Sequence, residues 1–230
     1  MCNYFATCDR SSPPAHCPTP SQTMPQRAII VRMEASFLTR HPRVKDIGGF
    51  IIFVCAVILG SLFINTFIFR SFSVTGPSME STLYTGDRLI VNRLPVTIAH
   101  LENHSYIPPR GQVIVFKNPL YSAGADDINL VKRVIAFGGE RVIVKDGTIT
   151  VYNKQHPKGF QPDKDWQGPG SPTSGGIDVT VPDGSIFVAG DHRQGSYSLD
   201  SRNGLGTVPL YDVIGPVVVR LWPITGIRGF

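Results

Sequence analysis

Cysteine is absent from residues 56–230: all four, Cys2, Cys8, Cys17 and Cys55, fall in the first quarter of the 230-residue chain. The remainder therefore holds no internal disulfide and must fold on its hydrophobic core alone. Nor do Cys2, Cys8 and the His16-Cys17 pair form a paired C-x-x-C pattern, so no metal site is expected, and no other feature calls for a cofactor. Charge is scarce as well. Asp, Glu, Lys and Arg make up 17% of the sequence, against the roughly 25% usual for soluble domains, as fits a chain that spends part of its length in lipid. The formal net charge of +5 is spread along the chain and gathers into no Arg/Lys stripe interleaved with aromatics, which sets nucleic acid aside as a partner. There is no internal repeat. What is plentiful is apolar residues, 42% with 10% aromatics, enough for a packed core.

Residues 1–45 open with a stretch rich in Pro, Ser, Thr and Gln that has neither helical nor strand periodicity, and are read as a disordered, cytoplasmic N-terminal arm, with Met24 and Met33 as alternative starts. From Ile47 to Phe69 the sequence carries no charge for 23 residues. At about 1.5 Å per residue, a helix of that length crosses a ~30 Å hydrocarbon core. A transmembrane helix is expected over 46–70. The run exceeds the ~7–15 apolar residues of a cleavable secretory signal and no A-x-A-like site follows it, so an uncleaved signal anchor is favoured. Arg40, Arg43 and Lys45 precede the span, whereas only Arg70 follows closely, which puts the N-terminus in the cytoplasm and residues 71–230 outside it. The expected location is a cytoplasmic membrane, with a single pass and the lipid bilayer as partner.

The outer part reads as strands at 71–75, 88–94, 112–116, 130–137, 140–145, 148–153, 185–190 and 212–221, each short, β-branched and bounded by Gly, Pro, Asn or Asp. Close spacing without helical patterns between them predicts a mainly β fold of antiparallel sheet. A Pro/Gly-rich insertion at about 154–176 is expected to be an exposed loop, with Phe160 and Trp166 as its docking points.

Chemistry points to two residues. Ser78, in TGPSMESTL (75–83), has no histidine-based triad in its sequence neighbourhood, and a serine hydroxyl is a poor nucleophile without a base. Lys132 lies in an apolar run, with Leu130, Val131, Val134 and Ile135 around it. At neutral pH only about one ordinary lysine in a thousand is deprotonated, a handicap of roughly 4 kcal/mol in available base. Burial of the stem and amine is the device that removes it. Ser78 is nine residues beyond Phe69, a stretch that extends at most about 30 Å, so it stays within reach of the membrane surface.

In this order the segments TGPSMESTLYTGDRLIVNRL, RGQVIVFKNP, LVKRVIAFGGERV, DGTITVYN and AGDHRQGSYSLDSRNGLGTVP resemble the successive sequence boxes of type I signal peptidases and cover most of 71–215. The resemblance implies a membrane-anchored serine endopeptidase whose antiparallel β catalytic domain removes N-terminal signal peptides from exported preproteins after a small-x-small site, through an acyl-enzyme. By the same resemblance Ser78 is the nucleophile and Lys132 the general base. Arg133 pairs with Asp191, Ser198 orients the lysine with Ser196 as competitor, and Asp200 with Arg202 forms a supporting ion pair. Arg133 is expected on the opposite strand face from Lys132. The Ser78 N–H is the first oxyanion donor; the second is the Gly76 amide, ranked first, the Thr75 hydroxyl or none. Substrate is expected to bind as an added β-strand over shallow apolar pockets lined by Met79, Leu83, Leu130 and Val131.

The chain departs from the family pattern in places. His192 stands where asparagine is common, two additional residues separate Arg193 from Asp200-Ser201-Arg202, and Ser81, Gln112, Ala136 and Gly138 replace frequent proline, aspartate, glycine and proline. A Ser78–His192–Asp191 triad is disfavoured because adjacent side chains diverge in an extended segment. Two other functions stand beside the main one: a dedicated or self-processing Ser/Lys protease, and a catalytically silent membrane-anchored β-domain that binds exported peptides.

Overall fold

The computed structural model describes residues 42–121, 128–165 and 172–230, with the side chains of 42–46 and 165 left aside. The N-terminal arm up to 41 and Trp166 lie outside the described residues. Two compact units, Met1–Ala56 and Val57–Phe230, divide the chain.

The uncharged run forms helix α1 (Pro42–Phe63), followed by a π-helical turn (Ile64–Ile68). Helix was expected over 46–70. Described helix is already present from Pro42, and Phe69 and Arg70 already belong to a strand because they pair in register with Asn92 and Val91. Ile47–Ile68 is long and apolar enough to cross a membrane, and none of it is buried. Phe50, Ile52, Phe53 and Leu59 all stand exposed, an apolar surface that water would penalise and hydrocarbon accommodates.

Eleven strands follow among the described residues: β1 (Phe69–Ser73), β2 (Arg88–Asn92), β3 (Val113–Lys117), β4 (Asn129–Phe137), β5 (Arg141–Lys145), β6 (Thr148–Tyr152), β7 (Ile177–Thr180), β8 (Ser185–Ala189), β9 (Val208–Pro209), β10 (Val213–Trp222) and β11 (Arg228–Gly229). They build an eight-stranded sheet in the order β1-β2-β10-β3-β4-β8-β9, with β11 on β10, and a three-stranded sheet β6-β5-β7. All the named pairings are antiparallel. The long β10 pairs with β3 through Val213–Pro216 and with β2 through Val217–Trp222, and register shifts interrupt both ladders. β2 stops at Asn92 rather than running to Leu94, because Asn92 Oδ1 accepts the Leu94 N–H at 3.0 Å and Pro95 starts a short helix, α2 (Leu94–Leu101).

Burial follows the period-two rule of strands. On β3, Ile114 and Phe116 enter one core cluster with Leu130, Val134, Ile186 and Val188, while Val113 and Val115 enter a second with Met79, Leu83, Leu89 and Val217. The small sheet packs Val142, Val144, Ile149 and Val151 with Ile135 and Phe187 in a third. β4 is thus packed on both faces, the environment in which a lysine is held away from water.

Candidate active site

The chain leaves β1, passes Gly76 and turns at Pro77. Gly76 has φ +90°, a conformation that side chains strain against, and open space lies where a Cβ would point. The turn is then anchored from behind. Met79 O accepts the N–H groups of Thr82 and Leu83, each at 2.8 Å, and the Met79 and Leu83 side chains are fully buried. Ser78 is left half-buried at the rim of a cleft of about 460 Å³.

Lys132 comes from β4, where it pairs with Ile114 and is 2% exposed. Its Nζ lies 2.8 Å from Ser78 Oγ and donates to Val131 O at 2.9 Å. Two residues 54 positions apart in sequence are thereby brought to hydrogen-bonding distance across the cleft. Arg133, next on the strand, points into a different set of contacts: Nε donates to Asp191 Oδ1 at 2.8 Å and Nη1 to Gly111 O at 2.7 Å. A two-pronged pair of this kind, nearly closed to water, fixes the peptide after β8 against β4.

That peptide carries the remaining groups. Ser198 is fully buried and donates to Asp200 Oδ2 at 2.6 Å; the same oxygen accepts the Gly190 N–H at 2.8 Å and Arg202 Nη2 at 2.6 Å. Ser196, the competing residue, is exposed. Gly190 is the contact point with the Ser78 turn: a Cβ there would meet Ser198 Oγ at 2.2 Å and Ser78 O at 2.3 Å, so only glycine allows the approach. The His192 N–H donates to Ser78 O at 3.1 Å, and its Nδ1 sits 3.2 Å from Pro77 O. His192 therefore grips the backbone at Pro77 and Ser78, while Asp191 is spent on Arg133; the ring of His192 lies 4.7 Å from that of Tyr197.

Two expectations need correction. Met79 and Leu83 do not line the cleft, because the turn that presents Ser78 drives both into the second core cluster; Leu130 and Val131 do line it. The Gly76 amide already donates to Thr85 Oγ1 at 3.1 Å, so it is committed within the turn rather than held ready for an oxyanion. Residues missed in the sequence also line the cleft, among them Phe72, Val74, Tyr197 and Leu199. Phe72 and Val74 carried a signal, being alternate positions of one strand run; Tyr197 and Leu199 sit in the segment lengthened by two residues and carried none.

One further feature suits an extended ligand. β8 begins to pair with β4 only at Arg133, so among the described residues no strand lies beside Asn129–Lys132 on that edge, and these four residues line the cleft opposite Ser73–Ser78. No group of three or more His, Cys, Asp or Glu able to hold a metal ion occurs among the described residues.

Residues 45–222 match a protein-family model described as signal peptidase, peptidase S26. A signal peptidase I of Bacillus licheniformis is 32% identical over 178 residues, which are 76% of this chain and 88% of that one. The signal peptidase I T of Bacillus subtilis is 33% identical over 178 residues, 76% of this chain and 84% of the relative. Among solved structures, a signal peptidase I from Enterococcus faecalis aligns with a TM-score of 0.36 at 25% identity, over 48% of this chain and 96% of that one.

Proposed function

Because the chain belongs to the peptidase S26 family of signal peptidases and is a signal-peptide-cleaving serine peptidase, we propose that it does so with a Ser78–Lys132 dyad, anchored by α1 in the membrane. The observation that carries this reading is the 2.8 Å approach of a buried lysine amine to Ser78 Oγ at the rim of the cleft.

In the proposed cycle, neutral Lys132 takes the Ser78 hydroxyl proton as Oγ forms a bond to the carbonyl carbon of the small residue that precedes the cut. The tetrahedral species collapses when the C–N bond breaks and the departing amine takes the proton from Nζ. The signal peptide is left as an ester on Ser78. A water then gives a proton to Nζ as its oxygen attacks the ester carbon; the C–Oγ bond breaks, Oγ takes the proton back from Nζ, and the signal peptide leaves with a free carboxyl group. The Ser78 N–H is the first donor to the oxyanion. Ser198, locked by Asp200 and packed on Gly190, serves as the hydroxyl that orients the lysine. The edge of β4 at Asn129–Lys132, beside which no described strand lies on the β8 side, accepts the signal peptide as an added strand, with Leu130 and Val131 beneath its small side chains. Domain limits follow the same reading: α1 and its π turn as anchor, the strands as an extracytoplasmic catalytic domain, and Arg40, Arg43 and Lys45, which precede the uncharged span, on the cytoplasmic side.

Full-length protein in vesicles, offered a preprotein, should release the mature product, and Ser78→Ala and Lys132→Ala should each lower kcat by at least about 10³-fold with circular dichroism unchanged. Cleavage at wild-type rate by either variant would remove the dyad.

A further inference from the structure

Among the described residues, Arg193 heads the fully buried side chains by volume, and it is a cation. Such a group needs partners on every side, and its partners span two distant segments. Its Nε donates to Gly190 O at 2.7 Å, inside the loop that holds Ser198 and Asp200. Its Nη2 donates to Asp163 Oδ1 at 2.7 Å and Nη1 to Asp163 Oδ2. Asp163 belongs to a 3-10 turn (Pro162–Asp165) in the Pro/Gly-rich segment, thirty residues earlier. The same segment returns on the other side: the Ser174 N–H donates to Arg193 O at 2.9 Å, and Ser174 Oγ accepts the Gly195 N–H at 2.9 Å. Arg202 Nη1 adds a third tie, to Arg193 O at 2.9 Å. A stretch that composition marks as loop thus clasps Arg193 by side chain and backbone.

What Arg193 holds is the peptide that touches both halves of the site. Gly190 packs without a side chain against Ser78 O and Ser198 Oγ, its N–H is fixed by Asp200, and its carbonyl is fixed by Arg193. The carboxylate that sets the angle of the guanidinium therefore sets the tilt of that peptide. We propose that Asp163 is a positioning residue for the Ser78–Lys132 pair, acting through Arg193 and the Gly190 backbone. The inference rests on the dyad reading above. Without Asp163 the buried guanidinium turns to other acceptors and draws Gly190 with it; a misplacement of about 1 Å at reacting groups costs on the order of 10²-fold in rate.

The test uses the full chain in vesicles with a preprotein substrate, comparing wild type, Asp163→Asn, Asp163→Glu and Ser78→Ala, with kcat normalised to the folded fraction measured by circular dichroism. Asp163→Asn should lower kcat about ten- to a hundredfold with KM within about twofold, since substrate contacts are untouched. The acid limb of its kcat profile should move to higher pH, because a loosened Gly190 lets water reach Lys132 and favours its charged form. Asp163→Glu, which keeps the carboxylate, should recover most of the rate. The proposal is overturned if Asp163→Asn has wild-type kcat and pH profile per folded molecule, or has no folded fraction at all, since the bond then serves folding only. If Ser78→Ala cleaves like wild type, the dyad reading fails instead, and the two failures are told apart within one experiment.

Discussion

Two arginine–aspartate forks of nearly identical geometry sit in very different surroundings. Arg133–Asp191 joins β4 to the loop after β8, with side chains 9% and 0% exposed; Arg141–Asp178 spans β5 and β7 of the small sheet, with side chains 53% and 51% exposed. In each, Nε donates to one carboxylate oxygen, at 2.8 Å in the first and 2.7 Å in the second, and Nη2 to the other. Equal distances do not mean equal consequences. Water screens the exposed pair and takes over when a partner is lost, so Coulomb attraction and side-chain entropy nearly cancel. The buried pair has no such substitute, and its loss strands a charge in the sheet that carries Lys132.

Asp191→Asn should give the largest effect, a loss of about 3–5 kcal/mol in urea unfolding, with peptidase activity falling alongside, because Arg133 is left charged and uncompensated. A loss below about 1 kcal/mol would mean that water reaches this fork as freely as the other. Arg110–Glu140 lies between the extremes. Burial alone would raise the Glu140 carboxyl, yet hydrogen bonds from Arg110, Asn153 and the Phe137 N–H outweigh it and hold the group below the ordinary glutamate range. A depressed carboxyl stabilises the fold above its unfolded pKa, about 4.3, and that contribution disappears as pH falls through the folded value. The stability gap between wild type and Glu140→Gln should therefore be full above about pH 5 and close on acidification. A gap that widens with acid would contradict the assignment. Smallest of the three, Asp178→Asn should leave the urea midpoint unchanged within error at moderate salt; a clear drop would show that the exposed fork carries more than its screening allows.

Much of this was readable in the residues, and the reason differs from place to place. All eight strand runs meet a strand, because β-branched alternation between turn residues is a local signal, and local signals survive without an alignment. Strand β7, IDVT, is too short to carry it, and α2 hides behind the end of β2, where Pro95 and the Asn92 side chain decide the matter in three residues. Ser78 and Lys132 were legible only through ordered boxes, since the pair is made by sheet order and neither residue is distinctive alone. Met79 and Leu83 were misplaced because apolar character says buried or lining but not which; the tight turn after Ser78 makes that choice. Asp163 gave no sign at all. Its partner is thirty residues away, and a carboxylate in a Pro/Gly-rich stretch looks like any solvated loop charge.

The route taken by β10 has a consequence in time. β1–β2, which leads to Ser78, and β3–β4, which carries Lys132, are not neighbours in the sheet; β10 lies between them and closes both ladders. It also follows all four of those strands in the chain. A ribosome that has delivered Ser78 and Lys132 has not yet delivered the strand that spaces them, so the sheet that brings hydroxyl and amine together is completed only once β10 has followed.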